Sequence, residues 1–141
     1  MLNVSLLRDS LAQATEREPI ITRRFYEILF DRYPQVRPLF GHNSTAKQQQ
    51  MLQEALVAVL DHIDDGRWLE STLGGLGVKH IDYGVTEEMY AWVGDALIST
   101  LAELVGDDWT PAHAEAWAQA YDAIAQLMLR GAASVPTAAV A

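Results

Sequence analysis

Apolar residues recur at three- and four-residue steps along most of the chain. Leu2, Leu6, Leu7, Leu11 and Ala14 form one stripe and Ile21, Phe25, Ile28 and Leu29 a second, with Pro19 marking the break between them. Each stripe predicts an amphipathic helix. Pro34 and Pro38 close the second helix and confine residues 35–40 to a short turn-like helix, because proline disfavours helical geometry in the residue before it. Residues 41–45 then read as a loop.

A longer helix is expected from Ser44 or Thr45, either of which can cap it, to about Asp65, with Leu52, Leu56, Val59 and Ile63 on one face and Gly66 as its end. The next segment, 68–80, holds Gly74, Gly75 and Gly77. Each glycine costs about 1 kcal/mol of helix stability relative to alanine, so this is predicted to be the least regular helix. Thr86 before Glu87 and Glu88 resembles a helix start. Met89, Trp92, Val93, Ala96, Leu97, Leu101 and Leu104 continue that helix towards Gly106. A last helix opens at Thr110-Pro111 and runs through Trp117, Tyr121, Ile124 and Met128 to Gly131. No stretch sustains two-residue alternation, so no sheet is predicted and the fold class is all-α.

Composition narrows the chemistry. With 141 residues, half of them apolar, the chain fits one domain with a sizeable core, expected at 1–131 with a frayed tail at 132–141. A net charge of −9 repels phosphate backbones and anionic membrane surfaces, so no nucleic-acid partner is expected. The absence of cysteine excludes disulfides, thiolate nucleophiles and iron–sulfur clusters. No apolar run approaches the roughly 20 residues of a membrane span. The first residues also lack the basic opening and apolar run of a signal peptide, so the expected compartment is the cytoplasm.

Four histidines are available: His42, His62, His80 and His113. A single histidine is most often a solvated or hydrogen-bonded residue. Gln48 lies 32 residues before His80 and shares the apolar face of Leu52 and Leu56, where an amide needs a partner; at a frayed helix start it could instead meet water. Tyr26 sits among Phe25, Ile28 and Leu29, and its hydroxyl, if buried, also requires a partner.

Several blocks, taken together in order, carry a resemblance. They are Phe25-Tyr26-x-x-Leu29-Phe30, Pro34-x-Val36-Arg37-Pro38-Leu39-Phe40, Lys79-His80, and Tyr90-x-x-Val93-Gly94. From about residue 18 to 130 the chain resembles the single-domain bacterial haemoglobins related to the haem domain of flavohaemoglobins. The resemblance implies a globin fold, a three-over-three helical sandwich around haem b. It implies His80 as proximal iron ligand, Phe40 packed on the haem face, and Tyr26 and Gln48 as distal donors. Leu52 and Val93 would line the pocket, with Lys79, Tyr90 and Tyr121 near the cofactor. The stretch between Phe40 and Gln48 is about two residues shorter than in many relatives, which leaves Gln50 as the alternative distal residue. Helical spacing argues against Gln50, whose neighbours Gln53 and Glu54 are polar. Relatives place a Tyr–Glu pair behind the proximal histidine. Tyr90 matches the tyrosine, but Ala132 stands where the glutamate would fall, which favours gas binding over peroxide chemistry.

The function implied is reversible binding of O2, and of NO and CO, for storage, delivery or buffering. Nitric oxide dioxygenation is an enzymatic alternative. These 141 residues carry no glycine-rich nucleotide fingerprint, so turnover would draw on a separate flavin reductase. A gas sensor and a haem-free helical domain are further alternatives, and either a monomer or a homodimer is compatible with the sequence.

Overall fold

The computed structural model describes residues 3–40, 45–82 and 84–133. Six α-helices lie among them: α1 (Val4–Arg17), α2 (Ile21–Arg32), α3 (Thr45–Asp61), α4 (Gly66–Asp82), α5 (Glu87–Val105) and α6 (Pro111–Ala133). Tight 3-10 turns occupy Pro34–Phe40 and Gly106–Asp108. No strand occurs among the described residues, as the periodicity predicts. The loop expected before α3 lies at 41–44, outside the described residues, as do His42, Leu2 and residues 134–141; Thr45 is already helical.

The predicted stripes become the core. Leu7, Leu11 and Ala14 of α1 meet Ile21, Phe25 and Leu29 of α2, Ala96 and Leu101 of α5, and Trp117 of α6. Asn3 caps α1 by accepting the Leu6 N–H at 3.2 Å, and Glu87 and Glu88 place negative charge at the start of α5. Helix α4 packs chiefly on α6, α2 on α5 and α3, and α1 on α5 and α6. No helix among the described residues is long and apolar enough to cross a membrane.

Three expectations are corrected by the tertiary structure. The third helix stops at Asp61 rather than Asp65. Side-chain donors also meet its last carbonyls: the His62 Nδ1–H reaches Ala58 O at 2.9 Å, beside the His62 N–H at 3.0 Å, and Arg8 Nη2 reaches Leu60 O at 3.0 Å. Asp65 then caps the next helix by accepting the Trp68 N–H at 3.1 Å, so Gly66 begins α4 instead of ending α3.

The glycine-bearing segment is one continuous α-helix of 17 residues. Its glycines serve packing, not irregularity. A methyl on Gly77 would overlap the Met128 carbonyl, and one on Gly131 would overlap the Gly74 backbone, so only bare backbones allow α4 and α6 to approach this closely. The same interface carries α6 through Gly131 to Ala133, two residues beyond its predicted end.

Candidate functional site

The distal candidates converge on Phe40. Tyr26 sits on the inner face of α2, 7 % exposed, and its ring meets Phe40 edge-on at 5.4 Å and stacks on Phe30 at 5.7 Å. Phe30 in turn meets Phe40 at 5.4 Å and carries the Arg37 guanidinium over its face at 5.2 Å. Pro34 and Pro38 fold the 3-10 turn that brings Phe40 back to α2. Burial pushes the Tyr26 phenol up to about 12, so it stays a neutral donor near pH 7. No hydrogen bond from its hydroxyl is found among the described residues.

Gln48 is half-buried, and its amide donates to the Phe40 carbonyl at 3.2 Å. Gln50 is exposed and donates to Glu54 at 3.2 Å. Of the two amides, Gln48 is the one bonded to Phe40, whose ring meets Tyr26. Gln53 departs from expectation. Although read as an outward polar neighbour, it donates to the Pro19 carbonyl at 2.9 Å, and its own carbonyl oxygen is buried without a partner. Thr22 reinforces that seam by donating to Gln49 O at 2.6 Å, so this side of α3 seals against the start of α2.

His80 lies in the last turn of α4. Its Nδ1 is 2.6 Å from the carbonyl of Leu76, one turn earlier. A carbonyl can only accept, so Nδ1 carries the proton and Nε2 bears the imidazole lone pair. Periodicity did not single out Leu76; the available signal is the generic geometry of a helix, in which residue i can reach the carbonyl of i−4. The Tyr90 ring lies 6.3 Å from the His80 ring, and burial raises its phenol.

Tyr121 and Gly94 form the support behind Tyr90. The Tyr121 hydroxyl donates to the Tyr90 carbonyl at 2.6 Å, and a Cβ on Gly94 would come within 2.7 Å of the Tyr121 ring. Burial, with the neighbouring Tyr90, pushes the Tyr121 phenol well above its ordinary value. Lys79 is exposed. Leu52 and Val93 are partly buried against the core, together with Phe40, Leu56 and Met89. Ala132 is a partly buried residue of α6, so no side-chain acid stands at that position.

These features fit a haem. An imidazole with its Nδ1 proton committed to a backbone carbonyl is the kind of side chain that holds a haem iron. Phe40, Leu52, Leu56, Met89 and Val93 are left partly covered by protein, and Met51 and Ile81 are 51 % and 45 % exposed. A flat apolar group would cover such surfaces, and the Tyr26 hydroxyl has no acceptor among the described residues.

Comparison with known proteins settles the family, because the Globin family matches residues 23–128. The chain belongs to the globin family. This globin is 34 % identical over 127 residues to a flavohemoprotein of Bordetella pertussis, an alignment that covers 89 % of this chain and 32 % of that protein. It thus spans about a third of the length of the curated relatives it matches. Among solved structures, it is similar to an engineered carbene transferase from Rhodothermus marinus that is also termed a candidate nitric oxide dioxygenase. The TM-score is 0.80 and identity 29 %, with 92 % of this chain and 90 % of that one covered. It is also similar to a flavohemoglobin of Malassezia yamatoensis with FAD and haem bound. There the TM-score is 0.70 and identity 25 %, covering 92 % of this globin and 35 % of that chain.

Proposed function

We propose that this globin holds haem b through His80 and binds diatomic gases, O2 foremost, reversibly between the cofactor and the Tyr26–Gln48 side. The observation that carries the reading is the 2.6 Å bond from His80 Nδ1 to Leu76 O, which fixes the tautomer with its lone pair on Nε2 and orients the ring from its own helix. Haem, when bound, would supply the gas-binding iron chemistry, and His80 is the residue that would hold it.

The protein's own groups do the rest. Tyr26, neutral and buried, points a hydroxyl proton at negative charge on the guest, and such a bond is strengthened in a dry pocket. Phe40, Leu52 and Val93 exclude water and wedge the macrocycle. Tyr90, pinned by Tyr121, buttresses the imidazole. A neutral peptide carbonyl behind His80 and alanine at position 132 leave the ring weakly electron-donating, which favours binding over cleavage of an O–O bond.

Absorption spectroscopy tests this directly. Protein supplied with haem should develop a Soret band that His80→Ala abolishes or shifts and that added imidazole restores. A band indifferent to the substitution contradicts the assignment. A second reading, oxidation of nitric oxide with electrons from a separate flavin reductase, is favoured by the similarity to flavohemoproteins and to the Rhodothermus marinus protein. Sustained consumption of nitric oxide with NADH and a cellular reductase, at the rate of a flavohaemoglobin control, would select it.

A further inference from the structure

We propose that His113 is an acid-sensitive latch at the start of α6: its neutral ring closes a hydrogen-bonded box with Thr110, and a proton on that ring opens it. The inference stands apart from the gas-binding reading, because it uses none of the residues that would hold the haem or its guest.

Helix α6 begins at Pro111, which makes Thr110 its cap and His113 the third residue of its first turn. The two residues bond in both directions. The Thr110 N–H donates to His113 Nδ1 at 3.1 Å, and the His113 N–H donates to the Thr110 hydroxyl oxygen at 3.4 Å. Threonine usually makes this reciprocal arrangement with a glutamate or glutamine, and here an imidazole takes that place. A backbone N–H can only donate, so Nδ1 bears the lone pair and the neutral ring carries its proton on Nε2. His62 and His80 are the opposite case. Each turns an Nδ1–H to a carbonyl one turn earlier, at 2.9 and 2.6 Å, a bond that charging the ring preserves. Among the described histidines, His113 is the one whose Nδ1 partner is lost on protonation.

The surroundings do little to offset that loss. His113 is 9 % exposed, and a positive charge in the first turn of a helix opposes the helix dipole. The Trp109 ring, stacked on it at 5.2 Å, attracts a cation but returns no acceptor to the Thr110 N–H. The charged groups of the elements that meet at this end are Asp107 and Asp108 before the cap, Glu16 and Arg17 of α1, Glu103 of α5 and Glu115 of α6. Asp108 accepts from Gln13, Glu103 is paired with Arg24 and Glu115 accepts from Gln119, and none of the six forms an ion pair with His113.

The sign of the effect follows. The unfolded chain takes up the imidazole proton freely, whereas the folded chain takes it up only by opening the latch. The unfolded state therefore binds more protons, and stability declines as pH falls through the interval of about 8 to 5 in which imidazoles charge. Opening releases the first turn of the helix that Trp117 ties to α1 and Tyr121 ties to α5.

Urea denaturation and NMR of the full chain across that interval test the latch. His113→Gln can close the same box but cannot titrate. Between the two ends of the interval, the folded-to-unfolded ratio of the native protein should fall several-fold further than that of the variant. In the native protein at the alkaline end, the Nδ1 chemical shift should be that of an unprotonated nitrogen. As the His113 ring charges, the Thr110 amide should lose its protection against hydrogen exchange, after correction for the intrinsic rate. An equally steep decline in His113→Gln overturns the proposal. So does a Thr110 amide that stays protected beside a charged ring, or an Nδ1 that is protonated at the alkaline end; these two readings use the native chain and decide the matter even if glutamine disturbs α6.

Discussion

The Trp117 indole donates a 2.8 Å hydrogen bond to the Ser10 hydroxyl, which lies 107 residues earlier and ties α6 to α1 inside the core. Ser10 uses its own proton on the Leu6 and Leu7 carbonyls, at 2.7 and 3.1 Å, so its oxygen remains the acceptor for the indole. Ser10→Ala leaves a buried N–H without a partner, and that should cost about 1–3 kcal/mol. Urea denaturation followed by circular dichroism gives the figure; an unchanged midpoint would mean that the indole finds another acceptor.

The α4–α6 interface predicts opposite outcomes for two glycines in the same helix. Gly75 has open space around its would-be Cβ, so Gly75→Ala should stabilise by about 0.5–1 kcal/mol through helix propensity. A methyl on Gly77 would instead drive into the Met128 backbone. Gly77→Ala should lose at least about 1–3 kcal/mol despite the same propensity gain. Thermal melts of the two variants decide the matter, and equal shifts would deny the close approach.

Tyrosine burial sets an alkaline limit. Tyr26 titrates near 12 in the folded protein, against an ordinary 10, because burial disfavours the phenolate. The unfolded chain therefore loses this proton first, and stability falls as pH rises from about 10 through 12, by on the order of 2–3 kcal/mol. Tyr121, raised in the same direction, adds to the loss. Tyr26→Phe should flatten the decline between pH 10 and 12. Denaturation midpoints across that interval, with phenolate absorbance to follow ionisation, would refute the assignment if the variant declined as steeply as the native protein.

Much of the candidate site is legible before folding, because its blocks are local. Phe25-Tyr26 and the two prolines around Val36 define a helix and a turn within sixteen residues, and the structure brings Tyr26 and Phe40 together across them. The competition between Gln48 and Gln50 is different. Both are glutamines in the first turns of one helix, and only the position of Phe40 and Glu54 around them separates the inward amide from the outward one. Gln53 shows the limit of polarity as a guide. Its burial follows from the Pro19 carbonyl at the start of α2, and no pattern within α3 encodes that neighbour.

Periodicity, capping residues and prolines were enough to determine six helices, the all-α class and the order of the family blocks, because those features act over one or two turns of backbone. Tertiary contacts alone decided why Gly77 and Gly131 must lack side chains and that the Tyr121 hydroxyl is committed to the Tyr90 carbonyl. The physical reason is common to these positions. Each depends on a backbone atom from a distant segment, and backbone carbonyls are identical in every residue, so they leave no mark in the order of side chains.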